Sequence, residues 1–166
     1  MKVAIDFGIS NTDIAVSNDA NVDFFTIPST KINHLILDEI FEQINIDIDL
    51  IEKIAVTGGK SDSLESIYKT IEVIKINETD AIGNGVIEIY STHEPFVAIS
   101  AGTGTACIYH QDGEFNYIGG IAIGGGTLKG LSNLTLNTSS MDEVTKKALL
   151  GNRENIDLLI GDVVND

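Results

Sequence analysis

Basic residues are scarce in this chain: 10 lysines and arginines stand against 25 acids, giving a formal net charge of −15. A polymer this acidic repels a phosphate backbone, and no basic stretch with interleaved aromatics offsets it. Nucleic acid is therefore not an expected partner. Cysteine is nearly absent as well. Cys107 is the only one, which excludes an internal disulfide and fits a reducing compartment. Its neighbours Ala106 and Ile108 predict a buried structural thiol. The three histidines, His34, His93 and His110, have no companions at metal-ligand spacing and read as structural or surface residues. No segment approaches the roughly 18 apolar residues of a membrane span, and Met1–Asp6 reaches an acid too soon for a signal peptide. A cytoplasmic protein without a membrane partner is expected.

What the chain does have is aliphatic residues and glycine. Its 166 residues are 43% hydrophobic and include 16 glycines, enough for one ordinary domain or two small lobes. The first part reads as three strands, Lys2–Ile5, Ile14–Ser17 and Val22–Ile27, separated by the turns Gly8–Asn11 and Asn18–Asn21 and closed by Pro28. Residues 31–45 carry Leu37, Ile40, Phe41 and Ile44 at helical spacing. A strand at Ile51–Val56, a short helix over 62–69 and a strand at Ile71–Ile76 complete a first cycle. This order of elements predicts a mixed sheet with helical crossovers.

A second cycle opens the same way. Strands are expected at Phe96–Ser100, Ala106–His110 and Phe115–Ile118, with turns at Gly102–Gly104 and Asp112–Gly113. Gly124–Gly126 leads toward a helix start with apolar Leu128 and Leu131. Ser140 and Glu143 have capping-box spacing ahead of a helix ending at Gly151, whose apolar face is Met141, Val144, Ala148 and Leu149. The expected division is 1–92 for a first lobe and 93–166 for the start of a second. The second cycle has no strands after its opening three, so the second lobe reads as incomplete.

Three glycine segments carry the chemistry. In Asp6-Phe7-Gly8-Ile9-Ser10-Asn11-Thr12, an acid ends a buried strand and a glycine turn follows. Such a tip can wrap a terminal phosphate with N–H groups while the acid holds hydrated Mg²⁺; a plain β-hairpin is the alternative. Ser100-Ala101-Gly102-Thr103-Gly104-Thr105 repeats the pattern, with small residues that let backbone approach polyphosphate, or again a simple glycine hairpin. Gly119–Leu131 is denser in glycine than packing economy explains, and its run into a helix suits anion capture at the helix N-terminus. Thr57-Gly58-Gly59-Lys60-Ser61 ends like a P-loop, but the leading glycine would fall at Ile54. Gly124–Gly126 lacks dinucleotide-site spacing.

With these residues in hand, the chain resembles the type II pantothenate kinases, the fumble family, within the actin/hexokinase/Hsp70 superfamily. The Gly119–Leu131 segment is the most specific part of the likeness. Val56–Gly59 matches the family's T-G-G turn, and Gly151–Asp157 its G-D-x-x-x-x-D segment. The resemblance implies an α/β, ribonuclease H-like ATPase fold of mixed sheets with flanking helices. It implies Asp6 as Mg²⁺ organiser, Gly8 and Ser10 in a first phosphate loop, and Gly102, Thr103, Gly104 and Thr105 in a second. Gly124, Gly125, Gly126 and Thr127 would lie against the nucleotide. Glu78 would be the catalytic base that takes the proton from the substrate hydroxyl. Two positions depart from the family: Tyr117 stands where an arginine meets substrate, and Asp13 where a base often follows the first loop. The Ser10–Asp13 run also resembles loops of hydantoinase/oxoprolinase enzymes.

The function implied is an ATP-dependent kinase phosphorylating a small hydroxylated substrate, pantothenate first, as in the first step of coenzyme A biosynthesis. The alternatives are a non-catalytic relative binding nucleotide or acyl-CoA, and a same-fold enzyme acting on a sugar or a cyclic amide. Family members commonly pair, so a homodimer is a further expectation.

Overall fold

The computed structural model describes residues 1–18, 21–157 and 160–164. Asp19 and Ala20, half of the turn expected at Asn18–Asn21, lie outside the described residues. The chain begins with three antiparallel strands, β1 (Lys2–Phe7), β2 (Asn11–Asn18) and β3 (Asn21–Pro28). Helix α1 (Ile36–Gln43) crosses to β4 (Lys53–Thr57), which runs parallel to β1. A short edge strand β5 (Ile67–Tyr68) then turns back into β6 (Ile71–Lys75), which lies parallel to β4. The resulting six-stranded sheet has the order β3-β2-β1-β4-β6-β5.

Alternation drives this sheet's packing. Val3, Ile5 and Phe7 on β1, Ile14 and Val16 on β2, and Ile54 and Val56 on β4 all point to one face and are buried there. Against them α1 sets Ile36, Leu37, Ile40 and Phe41. Each such side chain contributes about 1.5–3 kcal/mol by leaving water. The whole core cluster lies between Val3 and Val73.

The helix expected over 62–69 is not there. Ser61–Ser63 forms a single 3₁₀ turn, and Ile67–Tyr68 is strand. Two local interactions decide it. The Ser61 and Ser63 hydroxyls donate to the Gly58 and Lys60 carbonyls, which offers the backbone an alternative to a helix. Tyr68 packs its ring on Phe41 and donates its hydroxyl to Asp38 at 2.7 Å, which anchors the segment at the sheet edge.

Helix α2 (Glu78–Tyr90), capped by the Asn77 side chain on the Thr79 N–H, leads to a second sheet. This sheet is the antiparallel meander β7 (Phe96–Ala101), β8 (Thr105–Gln111) and β9 (Glu114–Ile121). Asp112 and Gly113, both at positive φ, make the tight β8–β9 turn. Helix α2 packs on this second sheet. An added Cβ on Gly83 would stand 2.1 Å from the Phe115 ring, so only glycine permits the approach. Beneath, His110 is 2% exposed and stacked between Phe96 and Phe115, with Nδ1 3.3 Å from the Glu94 carbonyl. It is a structural histidine; His34 and His93 lie at the surface.

Helices α3 (Gly125–Leu136), α4 (Met141–Leu150) and α5 (Ile160–Val163) follow. The Ser140 hydroxyl caps α4 by accepting from the Glu143 N–H. The apolar face expected of α4 is mostly uncovered: Val144 is buried, but Ala148 is exposed and Leu149 is 81% exposed. Leu128 and Leu131 of α3 are also exposed. Cys107 is half-buried rather than buried, and its cross-strand partner Ile99 is exposed. Among the described residues, no helix is long and apolar enough to cross a membrane.

Candidate functional site

The two hairpin loops meet. The Ser10 and Thr103 hydroxyls, 93 residues apart in sequence, lie 2.9 Å from each other and join the β1–β2 loop to the β7–β8 loop. The first loop is fixed from behind by Ser29. Its N–H donates to the Ser10 carbonyl at 3.0 Å, and its hydroxyl donates to the Gly8 carbonyl at 2.8 Å. Drawing those carbonyls aside suits a loop that presents N–H groups to an anion, since a free carbonyl oxygen would repel one.

The glycine-rich segment seals the second loop. A Cβ on Gly124 would lie 2.5 Å from the Gly104 carbonyl oxygen, and one on Gly126 would lie 2.8 Å from the Thr103 methyl. Gly104 itself would meet the Ile121 carbonyl at 2.9 Å. These glycines therefore have a packing reason independent of any ligand: two backbone segments stack with no room for a side chain. Threonines lock the arrangement. Thr105 Oγ1 donates to the Ile123 carbonyl at 2.7 Å, and Thr127 Oγ1 accepts from the Gly124 N–H at 3.4 Å. Gly102, Gly124, Gly125 and Gly126 thus border the N-terminus of α3, a twelve-residue helix whose dipole favours an anion at that end.

Acids gather beside the first loop. Asp6, the last residue but one of β1, is in register with Asp13 on β2 and Thr57 on β4. Its carboxyl is pushed above the usual carboxylate range, first by burial, then by the nearby charges of Glu78 and Asp13. Asp13 is steadied by the Thr26 hydroxyl, which donates to it at 2.6 Å. Glu78 stands at the first position of α2, exposed. Thr57 Oγ1 is buried without a hydrogen-bond partner. Asp6, Asp13 and Thr57 share a groove of about 460 Å³ with Phe24, Ile76 and Ala81. Among the described residues, no three metal-ligating side chains converge as a ready-made cage. A divalent cation still fits here: crowded carboxylates lack a counter-charge, and Mg²⁺ characteristically takes one or two carboxylates plus water and phosphate oxygens.

Tyr117 is 61% exposed on β9, on the same sheet face as Phe115 and Ile108, the face that α2 covers. Sequence reasoning gave no site role to Ser29 or Lys60. The Lys60 amine donates to the Ser29 hydroxyl at 3.0 Å across 31 residues, a pairing that only the folded turn after β4 creates.

A six-stranded mixed sheet and a three-stranded antiparallel meander whose hairpin loops meet give the chain a fold of the actin/hexokinase/Hsp70 type. The activator of 2-hydroxyisocaproyl-CoA dehydratase from Clostridium difficile, solved with bound ADPNP, superposes with a TM-score of 0.59 at 16% identity, over 82% of this chain and 52% of that one. An N-acetylglucosamine kinase structure from Porphyromonas gingivalis gives a TM-score of 0.57 at 14% identity, over 94% and 64%. By sequence, the chain is similar to the type II pantothenate kinases. It is 30% identical to that of Bacillus cereus (strain G9842) over 97% of its own length, and residues 87–166 match the Fumble family model. The chain spans 59% of that relative's length.

Proposed function

We propose that the protein is an ATP-dependent kinase that phosphorylates a hydroxyl of a small substrate, with pantothenate the first candidate. The observation that supports this best is the Ser10–Thr103 contact, which sets two phosphate-type loops together beside Asp6 and Glu78. Similarity to type II pantothenate kinases supports the substrate class. In this reading residues 1–92 and 93–166 form two lobes, with α2 belonging to the first in sequence while packing on the sheet of the second.

Asp6 would hold a hydrated Mg²⁺. Bound Mg²⁺ would neutralise charge on the phosphates. Gly8 and Ser10 hold one side of the polyphosphate; Gly102, Thr103, Gly104 and Thr105 hold the other. Gly124, Gly125, Gly126 and Thr127 lie along the nucleotide. Glu78 orients the substrate hydroxyl and accepts its proton as the hydroxyl oxygen bonds to the γ-phosphorus and the bond to the ADP oxygen breaks. Tyr117 borders the substrate. A cytoplasmic location and a homodimer belong to the same proposal.

The test is titration calorimetry with ATP, with and without Mg²⁺, followed by a turnover assay with pantothenate. Wild type should bind Mg·ATP, and Asp6→Asn should weaken binding. Glu78→Gln should abolish turnover while nucleotide still binds. Equal turnover in Glu78→Gln would overturn the assignment. A second reading, a non-catalytic nucleotide-binding relative, is favoured by Asp13, whose charge adds to that facing Asp6. Nucleotide binding without turnover in wild type would select it.

A further inference from the structure

Lys60 stands out in the charge pattern. In a chain of net charge −15 it makes no ion pair among the described residues, as is true of most of the lysines, but it alone of them is not exposed. It is half-buried, and its position is built rather than accidental. The turn after β4 starts at Gly58, with φ +89°, where an added Cβ would come within 2.6 Å of both Asp6 Oδ1 and the Phe7 carbonyl oxygen. Only glycine lets that turn lie against the end of β1. The Ser61 N–H and hydroxyl both donate to the Gly58 carbonyl, at 2.9 and 2.7 Å, and hold the turn shut around Lys60.

From there the Lys60 amine reaches Ser29 at 3.0 Å, and Ser29 grips both Gly8 and Ser10. The ammonium is thus one hydroxyl away from the first loop. An ammonium has three donors, and among the described residues Ser29 takes one of them, which leaves two for something else. Beside the first loop Asp6 is crowded by the charges of Glu78 and Asp13, so an incoming polyanion meets an unfavourable field that a cation at the loop would offset.

We propose that Lys60 is an anion-binding residue of the first loop, contributing its charge to the terminal phosphates of a nucleoside di- or triphosphate. This rests on the kinase reading of the site and adds to it the residue that makes an acidic chain accept polyphosphate there. Ser29 is its positioning residue. The ligand class follows from reach: a terminal phosphate at the Gly8–Ser10 tip lies near Lys60, whereas a monophosphate held elsewhere by its base does not.

The experiment titrates inorganic pyrophosphate, ATP, ADP and AMP onto the full 166-residue chain and onto Lys60→Met, Lys60→Arg and Ser29→Ala, at low and at moderate salt. Melting curves check that each variant is folded. Lys60→Met should weaken pyrophosphate, ADP and ATP by about tenfold or more and leave AMP unchanged, as expected for a lost charge-assisted bond. Its binding should also depend less on salt. Lys60→Arg should stay within about threefold of wild type, since the charge is kept. Ser29→Ala should lose less than Lys60→Met. Unchanged pyrophosphate and ATP binding in a folded Lys60→Met would overturn the proposal. So would equal losses in Lys60→Met and Ser29→Ala, which would make Lys60 a strut for the loop. Wild type that binds pyrophosphate but no nucleotide would sink the kinase reading and leave Lys60 standing. Wild type that binds neither would overturn both.

Discussion

The two loops that meet at the site leave two hairpins of the same shape, but the sheets beneath them are supported unequally. The β1–β2 hairpin is embedded in six strands whose inner face is covered by α1, with Ile5, Ile14, Ile54 and Phe41 almost fully enclosed. The β7–β8 hairpin belongs to three strands covered on one face by α2. Its buried apolar members are few, Ala98 and Ile108, with His110 in place of another aliphatic. Val97 and Ile99, pointing the other way from β7, stay exposed. The first loop is therefore held by a core and the second by close contacts: glycine backbone on glycine backbone, two threonine bonds and a bridging hydroxyl. A pocket of this design can keep one wall fixed while the other yields, which is what closure over a ligand requires.

The strongest way to break the comparison is to attack the first core. Phe41→Ala should cost about 3–5 kcal/mol, measured by urea unfolding, because nothing nearby can fill the space. Leu149→Ala, at a residue 81% exposed on α4, should change stability by no more than about 0.5 kcal/mol. Comparable effects at the two sites would show that the second half has a core of its own.

A smaller effect tests the second region. Gly83→Ala pushes a methyl into the Phe115 ring and should cost about 1–3 kcal/mol. Under the proposed kinase reading it should also lower turnover, because α2 carries Glu78 at its first position. In the double variant Gly83→Ala/Phe115→Ala the ring is gone, so the combined cost should fall short of the sum of the single costs. Strict additivity would mean that α2 is not docked through this contact.

Much of this was legible beforehand. All nine strands but β5, the helix after Gly124 and the cap at Ser140 follow from period-two runs, glycine turns and the Ser-x-x-Glu spacing. Asp6, Gly8, Ser10 and the threonine-glycine loop stood out as candidates, and the fold brings Ser10 and Thr103 into contact. What was hidden is tertiary. Tyr68 becomes strand because of Asp38 and Phe41, thirty residues earlier, which no local pattern encodes. Cys107 and Leu149 look like core residues in the sequence, yet one is half-buried and the other exposed. The glycines at 124 and 126 read as ligand-facing, yet they pack on Gly104 and Thr103, so composition alone did not separate loop stacking from phosphate capture. Lys60 drew notice only as a failed P-loop, since its meaning lies in a serine 31 residues away.

Charge supplies the finer tests. Asp6, raised by burial and by Glu78 and Asp13, ionises less readily in the folded chain than in the unfolded one. Between the two values the folded state binds more protons, so stability falls as pH rises through that window. In metal-free buffer Asp6→Asn should equal wild type in acid and melt higher than wild type at neutral pH. Adding Mg²⁺ should narrow the gap by stabilising wild type alone. A gap that is independent of pH would locate the effect in packing rather than in the carboxylate.

The smallest expected effect lies at the edge of the well-packed lobe. Asp38 on α1 accepts from the Tyr68 hydroxyl at 2.7 Å and from Lys69 at 2.9 Å, and these partners hold its carboxyl below the usual carboxylate range. Its contribution is present above the ordinary carboxylate pKa and is lost as pH falls through the lower, folded value. Asp38→Asn should therefore melt slightly below wild type at neutral pH and match it once both are acidified. The pair is largely exposed, so moderate salt should shrink the difference further. If the difference instead survived acid and salt undiminished, the anchor that turns Ile67–Tyr68 into strand would be the neutral Tyr68 contact with α1. The first lobe would then owe its rigidity to packing alone.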